Sequence, residues 1–152
     1  VSDPNTKTVA ATNAEYAITF DDQAVLDEIG HTPGDSKLYS LRSSAYLIAV
    51  SAIIDITAPP AAYLDLWLKK NGVNCPNSNT QVQIASAAVQ QTLAVAFVVD
   101  LAVGEYAELF YHGTTTNVRL LAIAAQAGPP VIPAAPSIVV SIARVGEPAW
   151  ED

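Results

Sequence analysis

Positions 44–56 alternate without a break, placing Tyr46, Ile48, Val50, Ala52, Ile54 and Ile56 on one side of an extended chain and Ala45, Leu47, Ala49, Ser51, Ile53 and Asp55 on the other. Such a period of two commits one face of a long strand to a core, and a one-residue slip would turn that face to water. Helical spacing is nearly absent elsewhere, and Gly, Pro and Asn punctuate the remaining segments, so the chain reads as all-β. Its 152 residues make one domain, large enough to bury roughly two thirds of its unfolded surface.

Further extended stretches fall at 16–20, 37–41, 63–70, 73–79, 82–87, 92–101, 106–112, 117–126 and 137–145. That predicts about eight to ten strands in a two-sheet jelly-roll sandwich. Pro59-Pro60 closes the long strand, and Asn71-Gly72 is the pair that a type I′ hairpin turn requires. Gly104 and Gly113 mark two more turns, and the acidic stretch 21–36 reads as a long loop with one short pairing near Ile29. Residues 128–136 carry four prolines and can be neither helix nor central strand. They are expected to run along the outside. The organisation is therefore a polar N-terminal arm at 1–13, a sandwich at 14–145 and an acidic tail at 146–152 whose Trp150 could dock it.

A solvated sandwich strand should be apolar on one face only, yet 92–101 places Leu93, Val95, Phe97, Val99 and Leu101 opposite Ala94, Ala96 and Val98. Stretches 117–126 and 137–145 repeat the pattern, with Arg119 the only charge in the former. A two-layer sandwich has one interior, so the second apolar set needs other cover. Cover by the Pro-rich stretch and the N-terminal arm is one solution. Contact between subunits is the other, with Leu47, Ala49, Ala94 and Ala96 the small and apolar positions expected at such an interface.

Seven Lys and Arg against fifteen Asp and Glu give a net charge of −8, which repels phosphate backbones and anionic membrane surfaces. Nucleic acid and membrane are not expected partners. No apolar run reaches the ~18 residues of a membrane helix, and the start Val1-Ser2-Asp3-Pro4 has neither the basic end nor the apolar core of a secretory leader. Val1 is the kind of small residue left when an initiator methionine is trimmed, which fits a whole gene product, although a fragment would look the same. Cys75 is the sole cysteine, so no disulfide can close within the chain.

Candidate chemistry is sparse. His31 and His112 are the only side chains with an unperturbed pKa near neutrality, and no Gly-x-Ser-x-Gly elbow accompanies them. A catalytic site would have to gather His112 with Glu108 or Asp100 in a deep pocket. Asp21, Asp22, Asp27 and Glu28 are oxygen ligands without the spacing of a calcium loop, and they read as a solvated acidic loop. Nor does any rule select a catalytic pair from Asp55, Asp65, Asp100, Glu105 and Glu108. The expectation is no enzyme and no cofactor or metal, with Trp67 and Tyr63 as a conceivable platform for a sugar ring.

Five stretches taken in order carry a resemblance. They are Ser44-Ala45-Tyr46-Leu47-Ile48-Ala49-Val50, Leu66-Trp67-Leu68-Lys69-Lys70-Asn71-Gly72-Val73-Asn74, Leu101-Ala102-Val103-Gly104-Glu105-Tyr106-Ala107-Glu108-Leu109, Asn117-Val118-Arg119-Leu120 and Pro136-Ser137-Ile138-Val139-Val140-Ser141-Ile142. Over residues 16–145 the chain resembles the C1q/TNF-like jelly-roll domains of tailed-bacteriophage virion proteins, although Ser44 stands where that family usually has glycine. The resemblance implies a homotrimer of ten-stranded jelly rolls without cofactor or catalysis, located in the virion. The expected role is a capsid decoration (cement) protein whose partner is the major capsid protein, with a tail-fibre or receptor-binding head domain as the alternative. An arm in place of a stalk favours decoration, and Val1, Asp3, Thr6, Thr8 and Val9 are its candidate capsid contacts, the threonines pairing strand-like with a neighbour.

Overall fold

The computed structural model describes residues 1–23 and 26–146, so the suggested docking of Trp150 and nearly all of the acidic tail lie outside the described residues. The described chain is all-β. In chain order its strands are β1 (Ser2–Asp3), β2 (Lys7–Thr8), β3 (Tyr16–Ala17), β4 (Ile29–Gly30), β5 (Leu38–Ser40), β6 (Ser44–Ile56), β7 (Ala62–Lys70), β8 (Val73–Asn74), β9 (Thr80–Ile84), β10 (Gln91–Leu101), β11 (Tyr106–Gly113), β12 (Val118–Leu120) and β13 (Ile138–Arg144). The surplus over the expected eight to ten comes from two-residue pairings too short to leave a periodic signal.

All pairings are antiparallel, and they make a two-sheet sandwich. The first sheet is built on β6: β10 runs along one edge over its full length, while β13 and then β12 share the other edge. Beyond them, β1 pairs with β13 and β2 with β12. In the second sheet β11 lies between β7 on one side and β3 and β5 on the other, with β8 and β9 on the far edge of β7. The strand β4 pairs with β5.

The inward faces follow from the alternation. Tyr46, Ile48, Val50, Ala52, Ile54 and Ile56 are all buried, and they meet Leu64, Leu66 and Leu68 of β7 and Leu109 and Tyr111 of β11 in one core. At ~25 cal/mol per Å² of apolar surface removed from water, each such aliphatic side chain contributes about 2 kcal/mol. Asn71 and Gly72 adopt φ of 49° and 79° between the paired residues Lys70 and Val73, as a type I′ turn demands. Ser44 is buried, and its hydroxyl donates to the Gly146 carbonyl.

Within the N-terminal arm, β1 and β2 complete the first sheet, and Asp3 and Val9 are buried against it. One expectation fails: the alternation at 117–126 does not continue as one strand. Pairing with β6 stops at Leu121, and the chain leaves the sheet before the prolines that could not donate to it.

Candidate functional site

The outer face of the first sheet gathers the interface candidates. Registers place Ala96 opposite Ala49, Val98 opposite Leu47 and Ala94 opposite Ser51, while Ser141 and Ala143 flank Ala49 and Leu47 from β13. Leu47 and Ala49 are half-buried on the central strand, and Ala94 and Ala96 are exposed on β10. Val98 is 68% exposed and Val139 40% exposed, so apolar side chains stand in water across three adjacent strands. The N-terminal segment lies along the edge of this sheet, and residues 123–134 of the Pro-rich connection are themselves exposed, as are Ala94, Ala96, Val98 and Val139 on the face. Its polar boundary is a bidentate pair, Arg119 Nε and Nη2 donating to Asp55 at 2.7 and 3.0 Å.

The N-terminal candidates serve the chain itself. Val140 N donates to Val1 O at 2.8 Å, and Tyr111 Oη donates to Thr8 O at 2.7 Å. Thr6 Oγ1 accepts from Ala122 N at 3.0 Å, and the buried Asp3 carboxylate faces the Lys7 ammonium and accepts from Asn5 N at 2.7 Å. Capsid contact through Asp3 or Val9 would require peeling the segment from the sheet, since both side chains are buried beneath it. Only the Thr6 and Thr8 side chains are openly exposed among these candidates.

The outer face of the second sheet is polar and internally satisfied. Asp65 accepts from Asn79 Nδ2 at 3.1 Å and Gln81 Nε2 at 3.0 Å, and its second oxygen lies 3.1 Å from His112 Nδ1. His112 Nε2 lies 2.8 Å from the Thr12 carbonyl, so both ring nitrogens face acceptors and only the doubly protonated imidazole satisfies both. Its pKa is raised accordingly, first by that carbonyl, with burial opposing and Asp65 adding to the rise. Lys69 bonds Glu15 and sits over the Phe110 ring, 4.0 Å from its centre.

The acid pairings differ from those considered above. His112 meets neither Glu108, which is bonded to Ser36 Oγ at 2.6 Å, nor Asp100. The Glu105 carboxylate caps its turn by accepting from Ala102 N, and with Lys70 and Asn71 beside it, its pKa falls to about 2. Asp21 accepts from Asn5, and Glu28 pairs with Arg42 and Arg144, so the acidic loop is tied down by protein partners. Among the described residues no three His, Cys, Asp or Glu side chains gather as metal ligands.

Trp67 borders a shallow hollow of about 620 Å³ with Asn74, Cys75, Asn77, Ser78 and Asn79, and its indole N–H already donates to Asn74 Oδ1 at 2.9 Å. Burial raises the Cys75 thiol, which makes it less reactive. Tyr63 is only 38% exposed at the far end of β7. The asparagine rim escaped the sequence reading because those residues look like ordinary turn formers until the β7–β8 hairpin and the loop to β9 fold over the indole. No protein-family model matches the chain, and no curated protein matches it.

Proposed function

We propose that this chain is a bacteriophage virion structural protein, a capsid decoration (cement) protein that assembles as a homotrimer on the capsid exterior and binds the major capsid protein. The observation that carries the reading is the open outer face of the first sheet, where Leu47, Ala49, Ala94 and Ala96 adjoin in a surface that only another protein surface would desolvate. Strand succession supports the C1q/TNF-like resemblance: β1, β13, β6 and β10 lie side by side in one sheet and β5, β11, β7 and β9 in the other. Eight strands split in that order are what two Greek keys make. The polar network on the second sheet suits a face turned to solvent.

Counting copies in purified virions tests the role. Hundreds of copies, with loss of the protein lowering capsid stability, is the expected result; a few tens or fewer would place the chain in the tail and overturn the decoration reading. Light scattering tests the assembly, and a monodisperse monomer at micromolar concentration would overturn the trimer. One observation favours the fibre-head reading instead: the Trp67 hollow joins an indole to an amide rim, a combination that can hold a sugar. A glycan array on the purified trimer decides, and binding abolished by Trp67→Ala would shift the assignment to receptor recognition.

A further inference from the structure

The connection between β12 and β13 is an insertion into a single strand. Leu120 pairs with Ile54 and Ile138 pairs with Ala52, which leaves one position opposite Ile53. Two residues share it: Leu121 N donates to Ile53 O at 2.8 Å, and Ile53 N donates to Ser137 O at 3.2 Å. So β12 and β13 are halves of one strand, and residues 122–136 are spliced in at that point. The spliced segment folds on itself as a hairpin, with Ile123 and Ala135 exchanging bonds of 2.8 and 2.9 Å and Gln126 and Ile132 exchanging bonds of 2.9 and 3.2 Å. Its root is gripped by the N-terminal segment, through Ala122 N to Thr6 Oγ1 and Ser137 N to Asp3 O. From 123 to 134 every residue is exposed, Val131 at 76%, and the whole insertion holds no charged residue.

We infer that this hairpin is an exchange arm that lies on the outer face of the first sheet of a second copy of the chain. The strand is complete without it, and ordering each residue costs about 1–2 kcal/mol of backbone entropy, against which the hairpin sets four backbone bonds of its own and no buried side chain from 123 to 134. Its surface matches the open face in kind: both are mostly apolar, with Ser51 and Ser141 on the face and Gln126 on the arm, and both are uncharged inside the Arg119–Asp55 boundary, while the arm's four prolines carry no N–H that desolvation would orphan. Size points to the same occupant: with ~4.8 Å between strands and ~6.8 Å between same-face residues, the open face covers roughly 450 Å², and one side of a hairpin ~20 Å long and ~10 Å wide, roughly 200 Å², fits within it. Because arm and face are different surfaces, the contact is heterologous and closes only as a ring, which a trimer is. The inference rests on the self-association proposed above and names the element that makes it.

Excising residues 122–137, so that Leu121 runs directly into Ile138, keeps the register on Ile53 and Ala52. Light scattering should find a trimer for the intact chain and a monomer for this variant, with the far-ultraviolet circular dichroism unchanged. The double substitution Val131→Asp and Ile132→Asp in the full-length chain should weaken association at least tenfold, and it decides the matter if the excised variant fails to fold. A trimer that survives either change in a folded variant overturns the arm but leaves the trimer standing. A monomeric intact chain overturns both. The occupant is read by pairing Val131→Cys with Ala96→Cys in a Cys75→Ser background, where oxidation should link copies into covalent trimers; absence of cross-links from a trimeric sample would overturn the seating on this face.

Discussion

Replacing Gly113 with alanine tests whether the first thirteen residues belong to the fold. A Cβ at Gly113 would lie 2.7 Å from Val9 Cγ2 and closer still to Val118 Cγ1, with Thr115 O at 3.2 Å. Carbon atoms in contact sit ~3.5–4.0 Å apart, so the new methyl overlaps both valines by about 1 Å. Neither can swing away, because valine is stiff at χ1 and both side chains are buried, Val118 held on β6 opposite Ile56 and Val9 packed just beyond β2. Overpacking of this kind costs about 1–3 kcal/mol, and two rigid neighbours place Gly113→Ala near 3. For a chain of this size that lowers Tm by roughly 6–12 °C. Thermal and urea unfolding measure it, and a double-mutant cycle identifies the neighbour. Val9→Ala alone should cost about 2 kcal/mol by leaving a cavity, but in the Gly113→Ala background it relieves a clash, so the double variant should be at least ~1 kcal/mol more stable than additivity predicts. Strict additivity, or a Gly113→Ala protein melting within a degree of the parent, would refute the placement of Val9.

Three further outcomes are expected. Asp3→Ala should cost about 3 kcal/mol in urea unfolding, because it removes a buried carboxylate from the Lys7 ammonium and the Asn5 N–H. The His112 imidazole should titrate above 6.5 by proton NMR and move down in Asp65→Asn, but only in part because the Thr12 carbonyl remains; since its folded pKa is raised, its contribution to stability is full below pH 6.5 and is lost as pH rises through the folded value. Ala94→Asp should leave the melting of a dilute, dissociated sample within about 0.5 kcal/mol of the parent, as an exposed site does, while light scattering shows the loss of association; equal melting and equal mass would remove Ala94 from the interface.

Local signals carried most of the sandwich. The run through Tyr46, Ile48 and Val50 needed no partner to be read as a core face, and Asn71-Gly72 names its turn because both residues need positive φ. What escaped was long-range. Ser2 pairs with Val139 and Lys7 with Leu120 across more than a hundred residues, and two-residue strands of polar composition carry no period to betray them. The partner of His112 was hidden for a related reason: several carboxylates were available, and only the β7–β11 register, which sets His112 opposite Asp65, chooses among them. The interface candidates were legible because Ala94 and Ala96 alternate with core residues on a strand that has no polar side. Their assembly into one surface depended on the β6–β10 register, fixed in turn by the demand that Phe97 and Ile48 both face inward.

The two outer faces differ in a way that orients the molecule. On the second sheet nearly every outward group already has a partner: Asp65 has two amides and His112, Lys69 has Glu15, Glu108 has Ser36 and Trp67 has Asn74. A surface whose polar groups are spent on one another gains little by burying them against a second protein, because each bond made across an interface would replace one already present. The first sheet is the converse, with small apolar side chains that have no bonds to lose and leave room for close approach. Its edge also holds the root of the 122–136 hairpin, clasped by Thr6 and the Asp3 carbonyl, so the N-terminal segment fixes where the hairpin leaves the body. On the proposed assembly, a substitution that loosens that clasp, such as Thr6→Val, should weaken association without touching any residue of the interface, whereas charge placed at Gln83 on the second sheet should leave it unchanged.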